Sequence, residues 1–405
     1  MIKIAVLGYG NIGSGVVEVI EKNKEEVSKK ANDTLDIKYI LDIRKFPGDP
    51  YEDKIIHDLE VILNDPEIRI ICETMGGITP AYDFTKRALL SGKSVCTSNK
   101  ELVADHGPEL LKIAKEMKCN YLFEASVGGG IPIIRPLNYS LTAEKIDEII
   151  GILNGTTNFI LSKMEKEGAD FDEVLKEAQQ LGYAEQNPAA DVEGHDACRK
   201  LAILSSLMTT HNVNYKDIYT EGITAITKQD FDYANSINHT IKLLAMSKYD
   251  EEGNFYACVS PFMLSKEHPL YFVNGVYNGI YVHGNILGYS MYYGKGAGKL
   301  PTASAVVSDI IDCARHLGTT VMCFWDNEDL AVAPFANRVG RFFVRIKDSL
   351  DNIRLASELF PGLEPAPPVL PNEYAFITAN LTEAEFAEKV KVLPDGIVSR
   401  VRMSK

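Results

Sequence analysis

The chain has no block of basic residues, no paired-cysteine motif and no apolar run of membrane length near its start. Lys and Arg total 42 against 56 Asp and Glu, giving a formal charge of -14 at pH 7. No basic cluster offsets that balance, which argues against nucleic-acid and membrane partners. A small anionic cofactor could be held only by local groups. The seven cysteines (72, 96, 119, 198, 258, 313 and 323) show no C-x-x-C and no repeated spacing. They signal neither a zinc site nor a disulfide framework and fit a reducing compartment. Met1 to Leu7 is apolar but is cut at once by glycines, so it is neither a signal sequence nor a span of about 20 apolar residues. A cytoplasmic protein is expected. Its 405 residues suggest two or three domains, at about 100–200 residues each.

What is present is alternation. IKIAVLG (2–8), DIKYILD (36–42), IRIICET (68–74), SVCTSN (94–99) and YLFEAS (121–126) read as short buried strands, separated by helical patterns. Such an order implies a parallel sheet covered on both faces, a doubly wound α/β domain. We place this Rossmann-type nucleotide-binding domain at residues 1–131. An α+β domain for substrate binding and dimerisation follows at 132–302, with strands expected at IDEIIGILNG, HPLYFV, NGIYVHG and YSMYYG. The helix 303–318 is expected to return to the first domain, with a linker at 319–337 and a small α+β domain at 338–405.

Gly8-Tyr9-Gly10-Asn11-Ile12-Gly13 is G-x-G-x-x-G between the first strand and first helix. Gly8 permits the tight turn, Gly10 lets the backbone approach a pyrophosphate, and Gly13 lets helix and strand pack closely, with the phosphates at the helix N-terminus. The second strand ends in Asp42, suited to the ribose hydroxyls of NAD, but Arg44 and Lys45 follow, suited to the extra phosphate of NADP. These signals conflict, and we lean towards NADP. Thr74, Gly76 and Gly77, and Thr97 to Lys100, end later strands and should face the same crevice.

LGYAEQNPAADVEGHDACRK concentrates Glu185, Asp191, Glu193 and Asp196 ahead of Arg199 and Lys200. On spacing alone, Asp196 and Lys200 are one helical turn apart and read as a solvated ion pair, worth about 0.2–0.5 kcal/mol. Lys200 also borders the apolar stripe Ala197, Leu201 and Leu204, where an ammonium would be partly desolvated and in need of carboxylates. A lysine so held near a nicotinamide can give a proton to a carbonyl oxygen.

GYGNIGSGV, ETMGG, TSNKELVA, EASVGGGIPII, ILNGTTNFIL, LGYAEQNPAADVEGHDACRK and GKGAGKLPTASAVVSDI stand together in this order, and in that order and spacing the chain resembles the homoserine dehydrogenases. The resemblance implies reversible reduction of L-aspartate 4-semialdehyde to L-homoserine by NAD(P)H. It makes Lys200 the acid–base group, Asp196 its neighbour at the substrate, and Lys100 a lysine at cofactor and substrate. Glu185 and Asp191 match pocket acids, Glu185 for the substrate ammonium, and Asn154, Gly155 and Thr156 of the NGTTN loop match the amino-acid end. Gly298 matches a glycine loop over the cofactor, alongside Gly8, Gly10, Asn11, Ile12, Gly13, Arg44, Thr74 and Gly76. Glu124 with the carbonyls of Val127, Gly129 and Ile131 resembles the family's Na⁺ loop; the alternative is a plain glycine turn. His195 and Arg199 are left with helix-start and packing roles.

The β-α-(β)-β-α-β order beyond Asn337 resembles an ACT domain, the amino-acid sensor attached to many members of this family. It departs from that pattern at Asp348 to Asn352, which lacks Pro and Gly, and at LEPAPPVLPN, which stands in place of the second strand. Threonine inhibition and a homo-oligomer, dimer or tetramer, are the matching expectations. Two rivals are weighed. An aspartate-semialdehyde dehydrogenase needs an activated cysteine with a histidine base, and only Cys198 with His195 comes near that. A regulator with a dead site would not keep Lys100, Glu185, Asp196 and Lys200.

Overall fold

A computed structural model describes residues 1–393 and 396–404. Residues 394, 395 and 405, inside the expected C-terminal domain, lie outside the described residues. The first sheet has six parallel strands, β1 (Ile2–Leu7), β2 (Leu35–Leu41), β3 (Ile55–Ile56), β4 (Ile68–Glu73), β5 (Ser94–Thr97) and β6 (Tyr121–Leu122), in the order β3-β2-β1-β4-β5-β6. Ile4 to Leu7 are fully buried, as expected of a central strand with helices on both faces. The strand order reverses between β1 and β4, so the crevice for a ligand opens beyond their carboxyl ends.

Helices α1 (Asn11–Lys22), α2 (Lys24–Ala31), α3 (Leu59–Leu63), α4 (Ala81–Leu90) and α5 (Lys100–Glu116) connect these strands. The helical stretch after the glycine turn is two helices, broken at Asn23. α5 begins at Lys100, capped by the Asn99 side chain on Leu102 N–H at 3.2 Å, so Lys100, read as closing a strand end, is the first residue of a helix. The strand expected over YLFEAS stops after two residues and gives way to a tight 3₁₀ turn at Glu124–Ser126.

The second sheet is built from β7 (Ile146–Ile152), β8 (Tyr219–Thr220), β9 (His239–Tyr249), β10 (Phe255–Ser265), β11 (Tyr277–Gly284), β12 (Gly288–Lys295), β13 (Val339–Lys347), β14 (Glu364–Pro365), β15 (Glu373–Ile377), β16 (Leu381–Thr382) and β17 (Ser399–Met403). Its path runs β12-β11-β7-β9-β10-β17-β13-β15-β14, with β8 beside β10 and β16 beside β13. One face carries α6 (Gly155–Glu167), α9 (His195–Thr209) and α10 (Lys228–Ser236); α7 (Phe171–Gln180) and the one-turn α8 (Ala189–Val192) lie beyond them. HPLYFV, read as a strand, is instead a 3₁₀ turn at Pro269–Phe272, opened by the His268 ring accepting Leu270 N–H at 3.1 Å. The long β9–β10 hairpin was not anticipated.

α11 (Lys299–Arg315) packs on the first sheet, where Ala303, Val306 and Ile310 meet Val16, Val17 and Ile20 of α1. The tail adds α12 (Leu350–Leu359) and α13 (Glu383–Lys391) over its own core of Phe342, Val344, Phe360, Phe376 and Phe386. Its strands β17-β13-β15-β14 form a β-α-β-β-α-β unit. The second strand, which the proline-rich stretch was read as lacking, is present as the two-residue β14 at the sheet's edge, where Pro365 forfeits no central ladder bond. β17 also pairs in parallel with β10, so tail and second unit share one sheet.

Candidate active site

At the end of β1 the backbone turns through Gly8 at φ +91°, a conformation that favours glycine. A Cβ at Gly13 would fall 1.9 Å from the Gly8 carbonyl oxygen, so α1 can cross the turn this closely only without a side chain there. Gly10 differs: a Cβ there would meet nothing within 4 Å. That open backbone at the start of α1 is free for a ligand, and α1 directs its positive end there. Thr74, at the end of β4, ties the turn down by donating to the carbonyls of Leu7 at 3.0 Å and Gly8 at 2.9 Å. A cleft of about 720 Å³ opens beside the turn, lined by Tyr9, Gly10, Asn11, Arg44, Phe46 and Lys299 among others. Tyr9, Phe46 and Lys299 were not singled out from the sequence, although Tyr9 stood inside the glycine motif.

Asp42, at the end of β2, is buried behind Tyr9 and Arg44 with its carboxylate already engaged. It accepts Tyr9 N–H at 2.7 Å and is gripped by the Arg44 guanidinium at 3.0 and 2.9 Å. That hydrogen bonding holds Asp42 well below the ordinary carboxylate range. Arg44 is more than half exposed and lies 5.0 Å over the Phe46 ring. The two conflicting residues of the sequence reading are thus an ion pair, and the guanidinium is its exposed member.

Asp196, in the first turn of α9, is 6% exposed and is the centre of a second cluster. Its carboxylate meets Lys200 Nζ at 2.8 Å, Lys100 Nζ at 3.0 Å and the Asn154 amide at 2.9 Å. Burial alone would raise its pKa, but the charges of Lys200 and Lys100 outweigh burial and hold it well below the usual range. Asp196 in turn raises the pKa of Lys100, whose ammonium at the start of a helix would otherwise be disfavoured. Lys200 donates its second hydrogen bond to the Leu153 carbonyl at 2.9 Å. The pair that spacing alone cast as a surface salt bridge is buried and shared by two lysines.

Asn154 caps α6 and joins both acids. Its amide nitrogen donates to Asp191 at 2.7 Å and Asp196 at 2.9 Å, and its oxygen accepts from Thr157. Both amide hydrogens are therefore committed to orienting carboxylates, a function that its matching to the substrate's amino-acid end did not foresee. Burial raises the pKa of Asp191. Thr156 donates to the Tyr183 carbonyl at 2.6 Å. Glu185 stands apart on an exposed loop, where only its carbonyl is bonded, by Gln179 at 3.1 Å. The structure thus brings together Lys100, Asn154, Asp191, Asp196 and Lys200, and leaves the Glu185 carboxylate outside.

Gly298, at φ +118°, opens α11 beside this region, and Gly130 N–H donates to the Lys295 carbonyl at 3.1 Å. Gly76, beyond β4, is exposed at φ +80°. In the loop 124–131 the Glu124 carboxylate is buried and accepts the N–H groups of Ile133, Ile134 and Arg135 at 2.6, 2.9 and 2.8 Å. Arg135 also pairs with Asp309 of α11. The carbonyls of Val127, Gly129 and Ile131 accept no hydrogen bond from the described residues. Cys198 is buried, its thiol donates to the Tyr215 carbonyl at 3.3 Å, and burial raises its pKa, while His195 is exposed. No thiolate–imidazole pair exists there for thioester chemistry.

Two family models match: one described as homoserine dehydrogenase, NAD binding domain, over residues 8–124, and one described as homoserine dehydrogenase over residues 132–311. The chain is 46% identical over 361 residues to homoserine dehydrogenase of Synechocystis sp., covering 85% of this chain and 82% of that one. It is 40% identical over 319 residues to that of Bacillus subtilis, covering 78% and 73%. Among solved structures, a homoserine dehydrogenase from Thiobacillus denitrificans has a TM-score of 0.89 at 32% identity, covering 100% of this chain and 98% of that one. A hyperthermophilic archaeal homoserine dehydrogenase in complex with NADPH has a TM-score of 0.64 at 27% identity, covering 77% and 97%. With the glycine turn, the cleft beside it and lysines from both units converging on the buried Asp196 carboxylate, the chain belongs to the homoserine dehydrogenase family.

Proposed function

We propose that the Asp196 cluster is where L-aspartate 4-semialdehyde and L-homoserine interconvert, with Lys200 giving the carbonyl oxygen its proton and recovering it in reverse. The observation that carries this reading is the convergence of Lys100 and Lys200 on one buried carboxylate. Bound at the glycine turn, NAD(P)H supplies the hydride. Gly8, Gly10, Asn11, Ile12 and Gly13 hold its pyrophosphate, with Thr74, Gly76 and Gly298 around it. Asp196 fixes the direction of both ammonium groups and Asn154 fixes Asp196. Asp191 lines the substrate pocket, Glu185, brought in from its exposed loop, receives the substrate ammonium, Asn154, Gly155 and Thr156 meet its amino-acid end, and Lys100 spans the two ligands. Because oxidation of the alcohol by NAD(P)⁺ releases a proton, homoserine oxidation is favoured at alkaline pH.

The outward guanidinium of Arg44 supports NADP over NAD, since Asp42 is engaged and cannot take the ribose hydroxyls without giving up that pair. Na⁺ fits the loop 124–131 through the main-chain oxygens of Val127, Gly129 and Ile131, with Glu124 ordering the loop by its backbone bonds; the ion would rigidify the junction of the two units. The β-α-β-β-α-β tail supports an ACT-like reading with threonine as inhibitor, and a flat response to millimolar threonine in steady-state assays would remove it. A regulator without activity is disfavoured by the intact lysine–carboxylate cluster.

Consumption of NADPH and NADH with aspartate semialdehyde measures activity and cofactor preference together. Lys200→Met should lower turnover by about 10²–10⁴-fold while the NADPH dissociation constant, read by fluorescence, stays unchanged. Near-normal turnover would sink the assignment.

A further inference from the structure

Glu221 follows β8 and lies outside the cluster, yet it is held by more charge than its position explains. Its carboxylate takes Arg402 at 2.6 Å, Arg400 at 3.0 Å and the Tyr219 hydroxyl at 2.8 Å. Burial would raise its pKa, and the two arginines bring it down to about 2. Both arginines come from β17 of the tail. Arg402 is 1% exposed and also grips Glu383 at 2.7 and 3.0 Å, Ser260 at 2.6 Å and the Tyr219 hydroxyl at 3.2 Å. Its five N–H groups therefore have five acceptors.

The next residue points the other way. A Cβ at Gly222 would fall 2.3 Å from the Val192 carbonyl oxygen and 2.6 Å from Glu193 Cα. Ile223 N–H donates to that same Val192 carbonyl at 2.8 Å, and Glu221 N–H to Val259 at 2.8 Å. Val192 to Gly194 is the turn between α8, which carries Asp191, and α9, which carries Asp196 and Lys200. The link from tail to cluster thus runs through ion-paired side chains as far as Glu221 and then backbone against backbone, from Gly222 to the Val192–Gly194 turn.

We propose that Glu221 is a positioning residue for the reaction: β17, through Arg400 and Arg402, holds Gly222 against the Val192–Gly194 turn and so sets where Asp191 and Asp196 stand. This rests on the reading of the Asp196 cluster as the active site. The glycine turn lies at the other sheet, so a shift of β17 should alter handling of the amino-acid substrate and leave the dinucleotide alone.

Glu221→Gln, Gly222→Ala, Arg400→Met and Arg400→Lys test it in the full chain, with Lys200→Met alongside. The homoserine KM should rise about fivefold or more in Glu221→Gln and Gly222→Ala, and about threefold in Arg400→Met, with the dinucleotide KM within about twofold and Arg400→Lys near wild type. Arg400 is about a quarter exposed and among the described residues its side chain pairs with Glu221 alone, so this variant should fold even where the others do not. A homoserine KM within twofold of wild type in folded Glu221→Gln and Arg400→Met, or an equal rise in both KM values, overturns the proposal. Normal turnover in Lys200→Met overturns the reading of the site instead.

Discussion

Asp196 and Lys242 are both buried charged residues of the second unit, and they differ in company. Asp196 has two ammonium groups and an amide, so its charge is compensated several times over. Lys242, in β9, is fully buried and among the described residues its ammonium has one hydrogen-bond partner, the neutral Asn274 oxygen at 2.6 Å. Burial brings its pKa down to about 8, with Glu165 opposing only in part. An unfolded lysine titrates near about 10.4, so the unfolded chain holds more protons between those values. Stability therefore rises as pH climbs from about 8 towards 10, and the cost is constant below that window. Lys242→Met should stabilise the protein at pH 7 by on the order of 2 kcal/mol and flatten the rise above pH 8. Urea unfolding at pH 7 and pH 10 checks both, and equal stability at pH 7 would contradict the account.

At the scale of elements, the strand–turn–helix at the start of the chain separates two uses of glycine. Gly10→Ala has room, so it should leave the melting temperature within about 1 °C of wild type while filling the space a pyrophosphate needs; NADPH affinity should fall by tenfold or more, about 1.4 kcal/mol. Gly13→Ala has none and should destabilise the first unit by about 3 kcal/mol or more, as overpacking does. Thermal unfolding with NADPH titration separates the cases, and equal stability of the two variants would contradict the geometry. This element was legible because everything that defines it is local. The β9–β10 hairpin was not. Its strands are buried on both faces, which removes period-2 alternation, and both carry a misleading residue, Lys242 and Pro261. Pro261 is tolerated because it lies between the stretch paired with β8 and the stretch paired with β17, where no ladder needs its N–H. HPLYFV misled in the opposite sense, with strand-forming residues in a turn that His268 and Pro269 start.

At the scale of the molecule, the free end of the second sheet is its most conspicuous surface. β12 alternates half-buried and exposed, and its outward row is Tyr289, Met291 and Tyr293, with Ile286 and Leu287 at the hairpin tip. Tyr281 stacks on Tyr289 and Tyr277 on Tyr293, which extends the apolar face across the hairpin. An unpaired edge strand with such a face is a liability unless another surface covers it. A second copy is the occupant we expect: Tyr289→Asp with Met291→Asp should yield monomers by light scattering, and an unchanged mass would reject this face as the interface. The two lysines for which we propose catalytic roles stand in motifs that are continuous in sequence. What the sequence could not display were contacts between distant segments: Lys100 reaching Asp196 from the other unit, and the tail arginines meeting Glu221 some 180 residues away.

That last contact has a consequence for how the molecule comes to be made. β17 is synthesised after every other strand of its sheet, yet it sits between β10 and β13 and alone joins them. On a nascent chain the second unit can collapse around β9 and β10, but Ser260 and Glu221 must wait for Arg402. Contacts of such long sequence separation form slowly because loop closure precedes any reward. Refolding should therefore show tertiary structure near β10 early, and enzymatic competence late, in step with the tail's docking. The edge of β10 stays open during that interval, the period in which the chain most needs protection from its own neighbours.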